Sequence, residues 1–251
     1  MQITPTVKQL LIINVLFFIG SQIVGQEAYR LLSLYYLENP NFQIWQPFTH
    51  MFMHAALPNF AHILFNMFAL YSFGSALEHL WGGKKFLFFY ISCGLGAALL
   101  HTGVNYYQFQ EGYNLLIDNG FSSVEIQQLL NGESVPLGAR QAIDQSLLME
   151  FVDAYRVPAV GASGAIYGLL VAFAFMFPNA ELGFMFIPIP IKAKYFVPGL
   201  LFIDLFLALK GKSIFGGGSG IAHFAHIGGA LVGFLMMWFW KKNSMNKHRW
   251  D

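Results

Sequence analysis

The chain has 251 residues, with a hydrophobic fraction of 56%, a charged fraction of 11% and a formal net charge of +1. Soluble domains carry about 25% charged residues, so this composition excludes an ordinary water-soluble globule. The net charge says nothing about partners, but no basic patch suggests nucleic acid, and the single Cys93, set in an apolar run, excludes an intramolecular disulfide and any CxxC redox or metal motif.

Apolar stretches recur at lengths close to those that cross a ~30 Å hydrocarbon core as helix. They predict six spans, at 8–24, 60–80, 86–104, 160–177, 195–209 and 221–240, in an all-α integral membrane protein forming one domain over 1–251. The first span follows Lys8 as the apolar region of a signal peptide would. Its exit at 21–26 has no small-x-small cleavage site, so a retained helix is expected. With six alternating spans, Lys8, Lys84, Lys85, Lys192, Lys194, Lys241 and Lys242 share one side, which the positive-inside rule makes cytoplasmic. Both termini are then cytoplasmic, and 241–251 is a basic tail. With no organellar presequence in view, the bacterial cytoplasmic membrane is the expected location.

The segment 105–158, between the third and fourth spans, is expected to be an external, partly helical insert rich in acidic residues. Ser122-x-x-Glu125 has the form of a capping box and is followed by Ile126, Leu129 and Leu130 at helical spacing. A second helix is predicted over 139–155, with Ile143, Leu147, Leu148, Phe151 and Val152 as its apolar stripe, and Pro158 stops it before the next span. Such a connection suits a membrane-surface pad, a partner-facing cap or a gate.

Ionisable and polar groups inside spans need a reason. The fourth span opens on Gly161-Ala162-Ser163-Gly164, with Tyr167 and Gly168 one turn on. This is either a packing surface of small residues or a reachable hydroxyl. The sixth span carries His226-x-x-Gly229-x-x-x-Gly233, whose glycines, four apart, leave one face nearly flat. Spans four and six start on the same side, so Ser163 and His226 lie at similar depth and form a nucleophile–base pair if the helices touch. A satisfied structural histidine would leave the same pattern. His62 and Asn66, at i and i+4, share a face of the second span and could donate to a developing oxyanion or bond between helices. Asp204, midway along the fifth span, is expected to pair with a neighbouring donor or to be protonated, and as a hypothesis to set a lateral opening beside the second span. His50-x-x-x-His54 and His223-x-x-His226 also suggest a histidine-box membrane metalloenzyme, although no HxxHH box is present.

Gly161-x-Ser163-Gly164 with Tyr167, His226-x-x-Gly229-x-x-x-Gly233, His62-x-x-x-Asn66 and Gly74-x-x-x-Glu78-x-x-x-Gly82 together resemble the signature of the rhomboid intramembrane serine proteases, in family order. The resemblance implies a six-helix bundle with the active site in a water-filled cavity open to the outside. It implies Ser163 as nucleophile and His226 as general base, a dyad without an aspartate. It further implies Tyr167 stacked on His226, and an oxyanion hole of His62, Asn66 and the Ser163 N–H beside Gly161. His50 and His54 become structural, Glu78 a helix-end hydrogen-bonding residue, and the Gly-rich 215–220 a moving cap. No cofactor is implied. The implied partners are the lipid bilayer and membrane-protein substrates with locally unstable transmembrane helices, cleaved through an acyl-enzyme. A non-catalytic rhomboid-like chaperone that holds such helices is the alternative, though such proteins typically lack the serine or the histidine. In this chain Trp45-Gln46 stands where the family usually carries Trp-Arg, which removes a cation from the first loop. The other departure is the length of the 105–158 insert.

Overall fold

A proline in the first turn and a left-handed Gly25 after the last delimit α1, Pro5–Val24. This computed structural model describes residues 2–133, 144–184, 187–210 and 221–244. The short α2, Gln26–Leu32, α3, Gln46–Thr49, and a 3-10 turn at His50–Phe52 make up the first loop. The second span is α4, Phe60–Ala69, a π turn at Leu70–Gly74 and α5, Ser75–Trp81.

Gly82 separates α5 from α6, Gly83–Asp118, which differs from the predicted span ending near 104. Its 36 residues extend about 54 Å at 1.5 Å each, well beyond a ~30 Å core. Nothing between 104 and 118 breaks a helix: there is no proline, and the one glycine, Gly112, packs against Phe151. What the polar sequence marked as the end of a span is only the end of its apolar part.

The remainder of the 105–158 segment folds back on this extension. The capping box holds α7, Ser123–Asn131: Ser122 N–H donates to the Glu125 carboxylate at 2.8 Å and Glu125 N–H to Ser122 Oγ at 3.3 Å. Next comes α8, Gln145–Arg156; the predicted start of this helix at 139–143, including Ile143, lies outside the described residues. Its buried face is Leu148, Phe151, Ala154 and Tyr155, whereas Leu147 is exposed, so the stripe is turned from the one predicted. These side chains join Tyr36, Phe109 and Ile126 in an apolar core of their own. Asn39 donates to the Tyr155 carbonyl at 2.8 Å and Leu34 bridges Ala159, which ties the segment to the first loop.

The central helix is α9, Ser163–Met176. At 14 residues it spans about 21 Å, shorter than a ~30 Å hydrocarbon core. An antiparallel hairpin of β1, Glu181–Phe184, and β2, Ile187–Lys192, follows and is a small exception to the otherwise helical fold. The last elements are α10, Ala193–Leu209, and α11, Ile221–Ser244.

Helices α6, α9 and α11 form the centre, and glycine makes their approach possible. A Cβ on Gly229 would lie 1.8 Å from the Gly164 carbonyl oxygen, and one on Gly233 would lie 2.8 Å from Gly168 Cα. Cys93 fills the third side, buried against Gly168. Four helical segments, Pro5–Val24, Phe60–Trp81, Gly83–Asp118 and Ala222–Lys242, are long and apolar enough to cross a membrane by themselves. The outward faces keep large apolar side chains such as Leu99, 77% exposed, and Leu209, 73% exposed. A surface of this kind suits lipid, and the chain is an all-α, multi-pass integral membrane protein.

Candidate active site

Ser163 is the first residue of α9, and the first hydrogen bond of that helix runs from Ile166 N–H to the Ala162 carbonyl. The N–H groups of the first turn therefore have no acceptor within the helix and make its N-terminus electropositive. Ser163 Oγ lies 3.0 Å from His226 Nε2 on α11. One turn along α9, the Tyr167 ring lies parallel to the His226 imidazole, at 4.2 Å between centroids and 9° between planes. The close glycine contact of α9 with α11 is what allows both approaches.

His62, on α4, stands across from the serine. The Ala55 N–H donates to its Nδ1 at 2.9 Å, so that nitrogen is the acceptor and the neutral ring carries its proton on Nε2. This Nε2–H faces Gly161: a Cβ there would lie 3.2 Å from His62 Nε2 and 3.4 Å from Ser163 Oγ. Gly161 has φ 131°, a conformation that favours glycine, and its N–H donates to the His50 carbonyl at 2.9 Å. Asn66 is buried and one of its amide hydrogens is taken by the His62 carbonyl at 2.7 Å. The second amide hydrogen of Asn66 remains, one turn along the same helix from His62.

Residues further out hold the frame. The Glu78 carboxylate accepts from Thr6 N–H at 2.9 Å, Val7 N–H at 2.8 Å and the Thr4 hydroxyl, closing the free N-terminus of α1. Gly74 sits against Val7, and Gly82, at φ 76°, ends α5. Gln46 is fully buried: its amide donates to the Arg30 carbonyl at 3.1 Å and the Asn41 carbonyl at 2.8 Å and accepts from Tyr35 N–H at 3.2 Å. A neutral amide therefore knits the first loop internally at the position of the missing cation. His54 Nε2 donates to Asn14 Oδ1 at 2.9 Å, and His50 Nδ1 donates to the Gln46 carbonyl at 3.0 Å.

Asp204 pairs with neighbouring donors, one of the two expectations for it. Its buried carboxylate on α10 faces α11, where Oδ1 is in hydrogen-bond contact with His223 Nδ1 and 3.4 Å from His226 Nδ1. Depth in the sequence could have found it, since Asp204 is five residues before the end of α10 and His226 five after the start of α11. Two antiparallel helices bring such positions level. Asp204, His223 and His226 set their ligand atoms within 4.8 Å of one another. Within the trio, Oδ1 is engaged by His223 and faces His226. Among the described residues, no cluster of three or more metal-binding side chains includes His50 or His54. The Gly-rich 215–220 lies outside the described residues.

The family model for the Rhomboid domain matches residues 41–124 and 137–243. The chain is similar to Rhomboid protein 1, mitochondrial, of Saccharomyces cerevisiae, with 25% identity over 86% of this chain and 46% of that protein. It is also similar to an uncharacterized mitochondrial rhomboid protein of Schizosaccharomyces pombe, with 29% identity over 80% of this chain and 53% of the relative. With rhomboid protease AarA of Providencia stuartii it shares 27% identity over 76% of this chain and 54% of the protease. The chain spans about half the length of the curated relatives it matches.

Proposed function

The chain belongs to the rhomboid family, and from that premise we propose that it is a serine endopeptidase that cuts transmembrane segments of other membrane proteins. The observation that carries this reading is the 3.0 Å separation of Ser163 Oγ from His226 Nε2 at the head of an apolar helix. In the proposed reaction Oγ attacks the scissile carbonyl carbon while its proton passes to His226 Nε2. The carbonyl electron pair moves onto oxygen, where the His62 Nε2–H and the first-turn N–H groups of α9 supply hydrogen bonds. His226 then returns the proton to the leaving amide nitrogen, the C–N bond breaks, and an acyl-enzyme remains. Water attacks the ester by the same exchange and restores Ser163. A helical substrate hides its carbonyls in backbone hydrogen bonds, so segments that unwind readily are the expected substrates.

The whole of 1–251, with the 105–158 segment as an accessory layer, is proposed to act as one rhomboid-like domain. The distribution of lysines supports an orientation with both termini inside and the site open outward, and a bacterial cytoplasmic membrane is the location proposed with it. The decisive experiment is labelling of the purified protein with a fluorophosphonate. Wild type should label and cleave a transmembrane reporter, and Ser163→Ala should do neither while keeping its fold. Cleavage that persists in Ser163→Ala would sink the assignment.

A further inference from the structure

We propose that Asp204 is a positioning residue that holds His226 in its productive tautomer and supports the charge it acquires, through an oxygen for which His223 competes. This rests on the reading of Ser163 and His226 as nucleophile and base. Three observations converge on it. The imidazole of His226 presents Nε2 to the serine, so Nδ1 faces the opposite way, and the atom found there is Asp204 Oδ1 at 3.4 Å. The carboxylate is 2% exposed within an apolar helix, a position where an ionisable side chain is costly. The same oxygen is contacted by His223, whose ring stands at 84° to that of His226 with centroids 6.0 Å apart.

An aspartate kept only to pair with His223 would account for one of these contacts. It would not place the shared oxygen on the Nδ1 side of the base. Donation from His226 Nδ1–H to Oδ1 leaves Nε2 with the lone pair that takes the serine proton. At 3.4 Å the bond is long; it tightens when the ring becomes a cation beside a carboxylate in a site of low dielectric. The benefit therefore falls on the transition state, in kcat rather than KM. Tyr167 stacking already orients the ring, so the loss on removing Asp204 is smaller than the ~10,000-fold known for a triad aspartate.

The groups that face His226 are Asp204 from α10, His223 on its own helix, Ser163 and Tyr167 from α9, and His62 from α4. Of these, Asp204 supplies the negative charge. Replacing it with a neutral amide lowers the pH at which the base titrates. Removing the competing donor at His223 leaves the carboxylate to His226 and raises that pH.

The test uses the full-length protein in detergent and in proteoliposomes, with reporter cleavage and fluorophosphonate labelling followed from pH 5 to 9. Asp204→Asn should lower kcat by about 10- to 1000-fold with KM nearly unchanged, and shift the midpoint of the rising limb to lower pH. Asp204→Glu should recover part of the rate. His223→Phe should move the midpoint the other way, to higher pH, which keeps the idea testable even if Asp204→Asn fails to fold. Unmoved midpoints, or losses that track the folded fraction alone, would overturn the proposal. If instead Ser163→Ala still labels, the protease reading itself has failed, an outcome distinct from failure of the Asp204 role.

Discussion

Gly161 joins two constraints that act on one atom. Its φ of 131° is strained for any residue with a side chain, and a Cβ there would press on the His62 ring at 3.2 Å. The first effect costs about 1–2 kcal/mol. The second displaces the His62 Nε2–H beside Ser163. Gly161→Ala should therefore keep the helical bundle but slow fluorophosphonate labelling by at least about tenfold, since small misplacements around a reacting centre are amplified in rate. Unchanged labelling in a folded Gly161→Ala protein would show that His62 is not needed where it stands.

At the scale of elements, the connection to notice is Glu78 on α5 serving as the missing cap of α1. Thr4, the residue before α1, makes no side-chain cap of its own, and a carboxylate more than 70 residues away takes up the free N–H groups of Thr6 and Val7. Negative charge is favoured at that end of a helix. Glu78→Gln keeps the shape but loses the charge and one acceptor oxygen. It should lower stability by about 1 kcal/mol, a cap's usual worth, which corresponds to about 2–4 °C in unfolding temperature for a chain of this size. Labelling of Ser163 well below that temperature should be unaffected. A Glu78→Gln protein as stable as wild type would mean that water already serves α1 as well.

For the molecule as a whole, the first loop is the joint between the parts. It bonds to α1 through His54 and Asn14, to the segment leading into α9 through the His50 carbonyl and Gly161, and to α8 through Asn39 and Tyr155. Burial pushes the imidazoles of His50 and His54 down from the usual 6.5, to about 4 and about 3. The unfolded chain accepts a proton on each near 6.5 and the folded chain only well below it, so the unfolded state holds more protons in between. Stability is therefore full above about pH 6.5 and falls as the pH drops from 6.5 toward 4. The unfolding temperature in detergent should be clearly lower at pH 5.0 than at pH 7.5. Equal values would show that these rings take up protons without loosening the loop.

The amino-acid sequence by itself determined the membrane class, the apolar segments and the helix-opening box at Ser122, because composition, hydropathy and capping act over a few neighbouring residues. It also carried the spacing of Ser163, His226 and the glycines between their helices, since a one-turn repeat on a helix is a local property. Other features were decided only by tertiary structure. The run-on of α6 to Asp118 depends on the partner helix that covers it. The capping of α1 by Glu78, the use of Gln46 inside the loop and the meeting of Asp204 with His223 and His226 depend on how each helix is rotated and how deep it sits. Those choices are made by the packing of all the helices at once, and no stretch of the chain encodes them alone.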